Sequence, residues 1–118
     1  GARGIHLEVD ESQLDALTAL GGSGPAFLFE YVAAMREAGV AAGLTPAVAA
    51  QVALETTLGA ARLLARSGEP PEALRDKVTS PNGTTLAGLQ GLADENLRKT
   101  ISERRAAAAR RAGELSKD

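Results

Sequence analysis

The chain of 118 residues is long enough for one hydrophobic core but short for an enzyme that must also hold a dinucleotide. A formal net charge of −2 and an aromatic content of 3% argue against nucleic acid or an anionic membrane as partner. With no cysteine and one histidine, His6, the chain cannot form a disulfide, a thiolate nucleophile or a histidine metal site, so we predict no bound metal. No apolar run reaches the roughly 20 residues of a membrane span, and no signal segment is recognisable, so we expect a cytoplasmic protein.

The N-terminal part of the sequence contains one glycine-rich interruption. Residues 1–10 alternate weakly between apolar and polar side chains, which is typical of a short extended entry or a linker. A helical pattern follows, and residues 21–24, Gly-Gly-Ser-Gly, predict a turn because glycine carries a large entropic cost in a helix. Pro25 suits the first position of a helix that should continue through Ala38 and end at Gly39. That helix is apolar on almost every side, so other helices, from this chain or from a second copy, must enclose it.

The rest of the sequence predicts further helices. Thr45 and Pro46 are residue types preferred at the N-cap and the first position, and a helix of about twenty residues should run from there to Ser67. Residues 69–71, Glu-Pro-Pro, begin a shorter helix, and helical spacing of apolar residues resumes after Thr84. No strand pattern competes with these helices. We therefore predict an all-α fold of five or six helices in a single domain over residues 1–118.

One turn contains the residues best suited to bind a ligand. Residues 79–85 read Thr-Ser-Pro-Asn-Gly-Thr-Thr, which places four hydroxyl side chains and a tight bend directly before a helix. Free N–H groups and the dipole at a helix start attract anions, and Gly83 lets a carboxylate or a phosphate approach the backbone. Ser80 could donate a further hydrogen bond, and Thr85 could hold a nitrogen or an oxygen beside the anion. The alternative is structural, since such hydroxyls often cap helices and Pro-Asn-Gly is ordinary turn chemistry.

Three other features favour structural roles. Residues 22–25, Gly-Ser-Gly-Pro, lack the glycine spacing of a dinucleotide fingerprint and the lysine of a phosphate loop, so a turn between helices is the better interpretation. Glu55 has no carboxylate partner suited to acid/base catalysis and fits a polar helix stripe. The C-terminal helix is rich in arginine, but Glu103 and Glu114 are interleaved, which favours a solvated face or intersubunit ion pairs over nucleic acid.

Three segments taken together resemble one enzyme family. They are residues 14–20 (Leu-Asp-Ala-Leu-Thr-Ala-Leu), residues 22–27 (Gly-Ser-Gly-Pro-Ala-Phe) and residues 78–85 (Val-Thr-Ser-Pro-Asn-Gly-Thr-Thr). Their order and spacing are similar to those of the pyrroline-5-carboxylate reductases. The resemblance implies the all-helical C-terminal domain of such an enzyme, which interlocks with its twin in an intertwined homodimer. The N-terminal Rossmann domain, which holds NADPH or NADH in that family, is expected to be absent from this chain.

The resemblance also implies site residues. In the family the matching turn holds the substrate carboxylate, which implicates the hydroxyl of Ser80 and the N–H groups of Gly83 and Thr84. The hydroxyl of Thr85 would hydrogen-bond the ring nitrogen, so Thr85 is the residue expected to act in catalysis, and Thr18 is expected near the same pocket. The implied reaction is hydride transfer from the nicotinamide to the cyclic imine 1-pyrroline-5-carboxylate, which gives L-proline. This chain alone would then be inactive and would contain no cofactor-binding residue.

Two positions depart from the family pattern, and two other functions stay open. The family usually has glycine where this sequence has Asn82, and often serine where it has Gly21. Asparagine tolerates positive φ, so the turn can keep its shape. A helical dimerisation module without catalysis would also explain the apolar helix after Pro25, and a related reductase could act on another cyclic imine. The residues that select NADPH or NADH are expected in the Rossmann domain, and the dimer could assemble further.

Overall fold

The computed structural model describes residues 11–79 and 84–116, and it confirms the all-α prediction. Six α-helices and one π-helical segment occupy these ranges, in which no strand occurs. In chain order they are α1 (Glu11–Thr18), the π segment (Ala19–Ser23), α2 (Gly24–Ala41), α3 (Pro46–Ser67), α4 (Pro71–Lys77), α5 (Thr84–Asp94) and α6 (Leu97–Ser116). Within the described ranges, no helix has the length and apolar character of a membrane span. The alternating stretch 1–10, with His6, lies outside the described residues.

The glycine-rich run does not form the turn that the sequence predicts. Thr18 (φ −63°, ψ −44°) and Gly24 (φ −54°, ψ −45°) both have right-handed helical backbones, and the π segment between them continues α1 into α2. Proline inside an α-helix clashes with the carbonyl four residues earlier, and the wider π turn directly before Pro25 makes room for it. The glycines therefore belong to a local widening of the helix, and the prediction of a turn is wrong.

The C-terminus of α2 also differs from the prediction. Gly39 is helical, and a Cβ at this position would lie 3.1 Å from the Cβ of Ala49 in α3, so this glycine permits close helix packing. The helix ends in a Schellman motif, in which the N–H of Leu44 donates to the carbonyl of Gly39 (3.0 Å). The N–H of Gly43 donates to the carbonyl of Val40 (3.0 Å), and Gly43 supplies the positive φ (109°) of the motif.

The ends of α3 lie where the sequence predicts them. The hydroxyl of Thr45 accepts a hydrogen bond from the N–H of Val48 (3.3 Å), and Pro46 occupies the first helical position. Gly68 follows the last residue with a left-handed backbone (φ 69°, ψ 2°). These signals act within one turn of the chain, so the sequence alone is sufficient to predict them.

The C-terminal helical pattern contains a break that the sequence analysis misses. α5 ends at Asp94, and Asn96 has a left-handed φ of 56° before α6 begins. Asparagine adopts this conformation more readily than most residues. The carbonyl of Asn96 accepts the N–H of Thr100 (2.9 Å) in the first turn of α6. The apolar pattern of this region therefore belongs to two separate helices.

The helices belong to two compact units with very little buried side-chain volume. In the first unit, which contains residues 11–29 and 96–116, α1, the π segment and α6 pack on one another and Ala19 is buried. In the second unit, residues 30–95, the buried residues are Ala49 and Ala53 of α3. These three alanines are the whole buried core of the described part of the chain. Because apolar burial is the main stabilising contribution in folding, neither unit has a sufficient core of its own.

Candidate functional site

The centre of the candidate turn lies outside the described residues. Ser80, Pro81, Asn82 and Gly83 fall in that gap, so the roles predicted for Ser80 and for the N–H group of Gly83 stay predictions. The elements on both sides, α4 and α5, are described, and they fix the two points of the chain that the turn connects.

The short helix α4, which precedes the turn, is tied at both ends. Lys77, its last residue, donates to both carboxylate oxygens of Glu69 at 2.8 Å each, and Glu69 directly precedes the two prolines that begin the helix. The hydroxyl of Thr79 donates to the carbonyl of Arg75 (2.6 Å) and so closes the last turn. Thr79 therefore closes the preceding helix α4, a structural role that differs from the predicted cap on the following helix. The sequence analysis misses the pair of Lys77 with Glu69 because direct contacts along a helix are expected at spacings of three or four.

The beginning of α5 is suited to an anion. This helix starts at Thr84 and has no acidic residue in its first turn, so no carboxylate of that turn neutralises its free N–H groups and the positive end of its dipole. Thr85 is exposed in the same turn, where its side chain is accessible to a bound molecule. This end of α5 can accept a carboxylate and present a hydroxyl beside it.

Thr18 belongs to the other unit. It is exposed at the last position of α1, directly before the π segment. Single π-helical turns inside α-helices are frequent at functional sites. The structure thus brings Thr84 and Thr85 together on α5 in the second unit and places Thr18 on an accessible surface of the first.

The other charged residues that the structure describes form exposed pairs along the helices. Across 11–79 and 84–116, no group of three or more His, Asp or Glu side chains could hold a metal ion. On α3, Gln51 donates to Glu55 (3.2 Å), as expected in an exposed polar stripe. On α6, Arg111 forms an ion pair with Glu114 (3.0 Å), which reduces the local positive charge. Exposed pairs of this kind contribute little to stability.

A second candidate feature is the apolar surface that the chain leaves uncovered. Many large apolar side chains of the described residues are at least 40% exposed. Phe29 of α2 is 70% exposed and Leu54 of α3 is 62% exposed. Among the described residues, the packing between α1 and α6 is more extensive than the packing between any two of the helices α3, α4 and α5. Exposed apolar surface on this scale indicates an association interface.

Known proteins similar to this chain are reductases. The family model described as pyrroline-5-carboxylate reductase dimerisation matches residues 11–115. A pyrroline-5-carboxylate reductase from Arabidopsis thaliana is 46% identical over 116 residues, which cover 98% of this chain and 42% of that protein. A solved pyrroline-5-carboxylate reductase from Coxiella burnetii has a TM-score of 0.87 and 39% identity, over 92% of this chain and 40% of that one. The pyrroline carboxylate reductase of Plasmodium falciparum, solved with NADP bound, has a TM-score of 0.84 and 30% identity, over 92% of this chain and 44% of that one.

The similarity includes both units of the chain but only part of each relative. The chain spans 40 to 44% of the length of these three relatives. Its fold matches the aligned part of the two solved structures, and its uncovered apolar surface agrees with a family model that is described by dimerisation. The chain belongs to the pyrroline-5-carboxylate reductase dimerisation family.

Proposed function

We propose that this chain is the dimerisation and substrate-binding domain of a reductase that converts 1-pyrroline-5-carboxylate to L-proline with NADPH or NADH. The observation that carries the proposal is the family match over residues 11–115. Because the chain spans less than half of its relatives, the proposal assigns the cofactor to a nucleotide-binding domain outside these residues.

The substrate carboxylate binds in the turn before α5. The hydroxyl of Ser80 and the N–H groups of Gly83 and Thr84 donate hydrogen bonds to it, and the dipole of α5 adds to the attraction. The absence of an acidic residue from the first turn of α5 supports this role. The contact between Lys77 and Glu69 supports it as well, because it holds the helix from which the turn departs.

Thr85 orients the imine. A hydrogen bond between its hydroxyl and the ring nitrogen, together with the bound carboxylate, fixes the ring at two points. When bound, the reduced nicotinamide supplies a hydride to the imine carbon, and a proton taken up at the nitrogen completes the secondary amine. The contribution of this chain is therefore position and hydrogen bonding. Thr18, which is exposed at the end of α1, is proposed as a further residue of the pocket.

A homodimer completes the fold. Three buried alanines cannot stabilise the described helices, and the exposed apolar side chains of α2 and α3 need a cover. A second copy supplies that cover in a protein whose family model is described by dimerisation. Higher assembly would require further surfaces.

A steady-state assay of the full-length protein tests the enzymatic proposal. Oxidation of the reduced nicotinamide should depend on 1-pyrroline-5-carboxylate and should produce proline. Ser80→Ala should raise KM more than it lowers kcat, because the carboxylate is held equally in the ground state and the transition state. A folded dimer that forms no proline would support the non-catalytic dimerisation module instead, and turnover restricted to another cyclic imine would change the assigned substrate.

A further inference from the structure

We infer that Lys77 and Glu69 are positioning residues for the substrate: their contact fixes the C-terminus of α4 and so sets the point from which the carboxylate-binding turn departs. The inference rests on the function proposed above and adds to it two residues outside the turn. In this assignment neither side chain touches the substrate, and both act through the backbone of α4.

The helix α4 has little to stabilise it from within. It comprises seven residues, and none of its side chains is buried. Helices of this length are unstable in water on their own, because the first turn is costly to form. Its N-cap residue, Pro70, provides no capping hydrogen bond from its side chain. The conformation of α4 therefore depends on contacts made at its ends.

The backbone hydrogen bonds at the two ends of α4 are long. The nitrogen of Leu74 lies 3.4 Å from the carbonyl oxygen of Pro70, and the nitrogen of Val78 lies 3.3 Å from that of Leu74. Such bonds usually measure roughly 2.7–3.2 Å. The first backbone bond of α3, for comparison, measures 2.9 Å. Because long bonds are weak, side-chain contacts contribute more to holding α4 than they do in α3.

The contact between Lys77 and Glu69 joins the two ends of this helix. Glu69 precedes the N-cap and Lys77 is the last helical residue, so the contact runs along the whole length of α4. The ammonium group donates to both carboxylate oxygens at 2.8 Å, and the side chain of Glu69 is 37% exposed. Exposed ion pairs contribute little to global stability. This one acts locally, because it connects the ends of a helix that few other contacts hold.

The hold on α4 extends to the residue before the turn. The hydroxyl of Thr79 donates to the carbonyl of Arg75 at 2.6 Å, and Ser80 follows directly. A binding segment whose ends are already fixed loses less conformational entropy when it takes up a ligand. Loss of the ion pair should therefore weaken carboxylate binding equally in the ground state and the transition state. The expected result is a higher KM with little change in kcat.

A direct electrostatic role for Lys77 predicts a different result at Glu69. If the ammonium group attracted the substrate carboxylate itself, the neighbouring Glu69 would oppose that attraction, and Glu69→Gln would lower KM. If the two residues position the turn together, replacing either of them raises KM. The direction of the change at Glu69 therefore distinguishes the two roles.

Steady-state kinetics of the full-length enzyme test the inference with 1-pyrroline-5-carboxylate as the varied substrate. Lys77→Met and Glu69→Gln should each raise KM by about three- to fivefold, the effect of one favourable exposed ion pair. The double variant should be no worse than either single variant, because both remove the same contact. Lys77→Arg keeps the charge and should keep the KM of the parent.

Asp76→Asn is the matched control for Glu69→Gln. It also removes one exposed carboxylate from α4, together with a contact to the adjacent Arg75 (3.0 Å), but that contact does not join the ends of the helix. The two variants change the charge near the turn alike, so KM should rise only in Glu69→Gln.

Amide hydrogen exchange of the full-length protein provides a readout that does not depend on catalysis. The N–H groups of Val78 and Thr79 donate to carbonyls of α4. In Lys77→Met both should exchange about three- to fivefold faster than in the parent, while the amides of α3 exchange as before.

The outcomes separate this inference from the proposed function. If the parent enzyme forms proline and KM is unchanged in Lys77→Met, or falls in Glu69→Gln, the positioning role is wrong while the proposed function stands. Faster exchange with an unchanged KM would mean that the pair stabilises α4 without serving the site, which also contradicts the inference. If the folded parent does not reduce 1-pyrroline-5-carboxylate at all, the proposed function is wrong and the positioning role falls with it.

Discussion

Replacing Thr85 by alanine removes one hydroxyl from the first turn of α5 without removing a backbone hydrogen bond. If that hydroxyl orients the ring nitrogen, kcat/KM of the full-length enzyme should fall by roughly 10- to 100-fold, the cost of one lost hydrogen bond in the transition state. Thr85→Ser keeps the hydroxyl and should retain most of the activity. Steady-state kinetics with 1-pyrroline-5-carboxylate as the varied substrate give both values.

The matched control for Thr85 is Thr100, an exposed threonine in α6. Thr100→Ala makes the same chemical change away from the candidate turn and should leave kcat/KM unchanged. Equal losses in the alanine variants of Thr85 and Thr100 would mean that the effect is structural. Full activity of Thr85→Ala would exclude the role proposed for Thr85.

Individual residues were predictable from the sequence where their role depends on their immediate neighbours. Thr45 and Pro46 begin α3 because a hydroxyl and a missing N–H suit a helix start in almost any context. Gly39 was misassigned as a stop signal because its role depends on Ala49, which only the folded chain brings near. The bond from the hydroxyl of Thr79 to the carbonyl of Arg75 was not predicted, because the sequence indicates only that Thr79 belongs to a hydroxyl-rich turn.

The connection between α2 and α3 depends on the backbone conformation of Gly43. Its φ of 109° is unfavourable for any residue with a Cβ, although the space around it is open. Gly43→Ala should therefore destabilise the folded protein by roughly 1–3 kcal/mol. Gly43→Asn should cost less, because asparagine tolerates positive φ better than alanine. Urea unfolding at one fixed protein concentration measures both, and an alanine variant as stable as the parent would contradict this account of the turn.

Helices were easier to predict than the transitions between them. Thr45 and Gly68 define the ends of α3, and the two prolines define the start of α4, since these signals are local. The π segment was predicted as a turn because glycine content signals a break and does not distinguish a widened helix from an ended one. The break at Asn96 was missed because asparagine is a weaker signal than glycine for a left-handed residue.

For the whole molecule, the small buried core makes stability depend on protein concentration. A dimer whose monomer is not independently stable gains stability by mass action as concentration rises. Each tenfold rise in protein concentration should stabilise the dimer by about 1.4 kcal/mol. The thermal midpoint of the chain should therefore increase between low and high micromolar concentration. Circular dichroism melts over a concentration series test this. A midpoint independent of concentration, with a monomer in sedimentation, would contradict coupled folding and association.

The fold class was predictable from the sequence, but the packing was not. Helical periodicity indicates which residues share a face, as for the polar stripe that contains Glu55 on α3, and the apolar character of α2 already indicates enclosure by other helices. Which helices provide that enclosure depends on contacts between distant segments or between chains. The hydroxyl-rich turn before a helix suggested Ser80 and Thr85 as ligand-binding residues, and the family resemblance suggested which part of the substrate each would contact.

The three buried alanines have a consequence for the lifetime of the proposed dimer. If most of the apolar surface of α3 is buried only by the twin, a subunit cannot leave without exposing that surface to water. The subunits can then separate only if they also unfold. When two differently tagged dimers are mixed under native conditions, they should exchange subunits no faster than their helices unfold. Mixed dimers would form readily only while both chains are folding together.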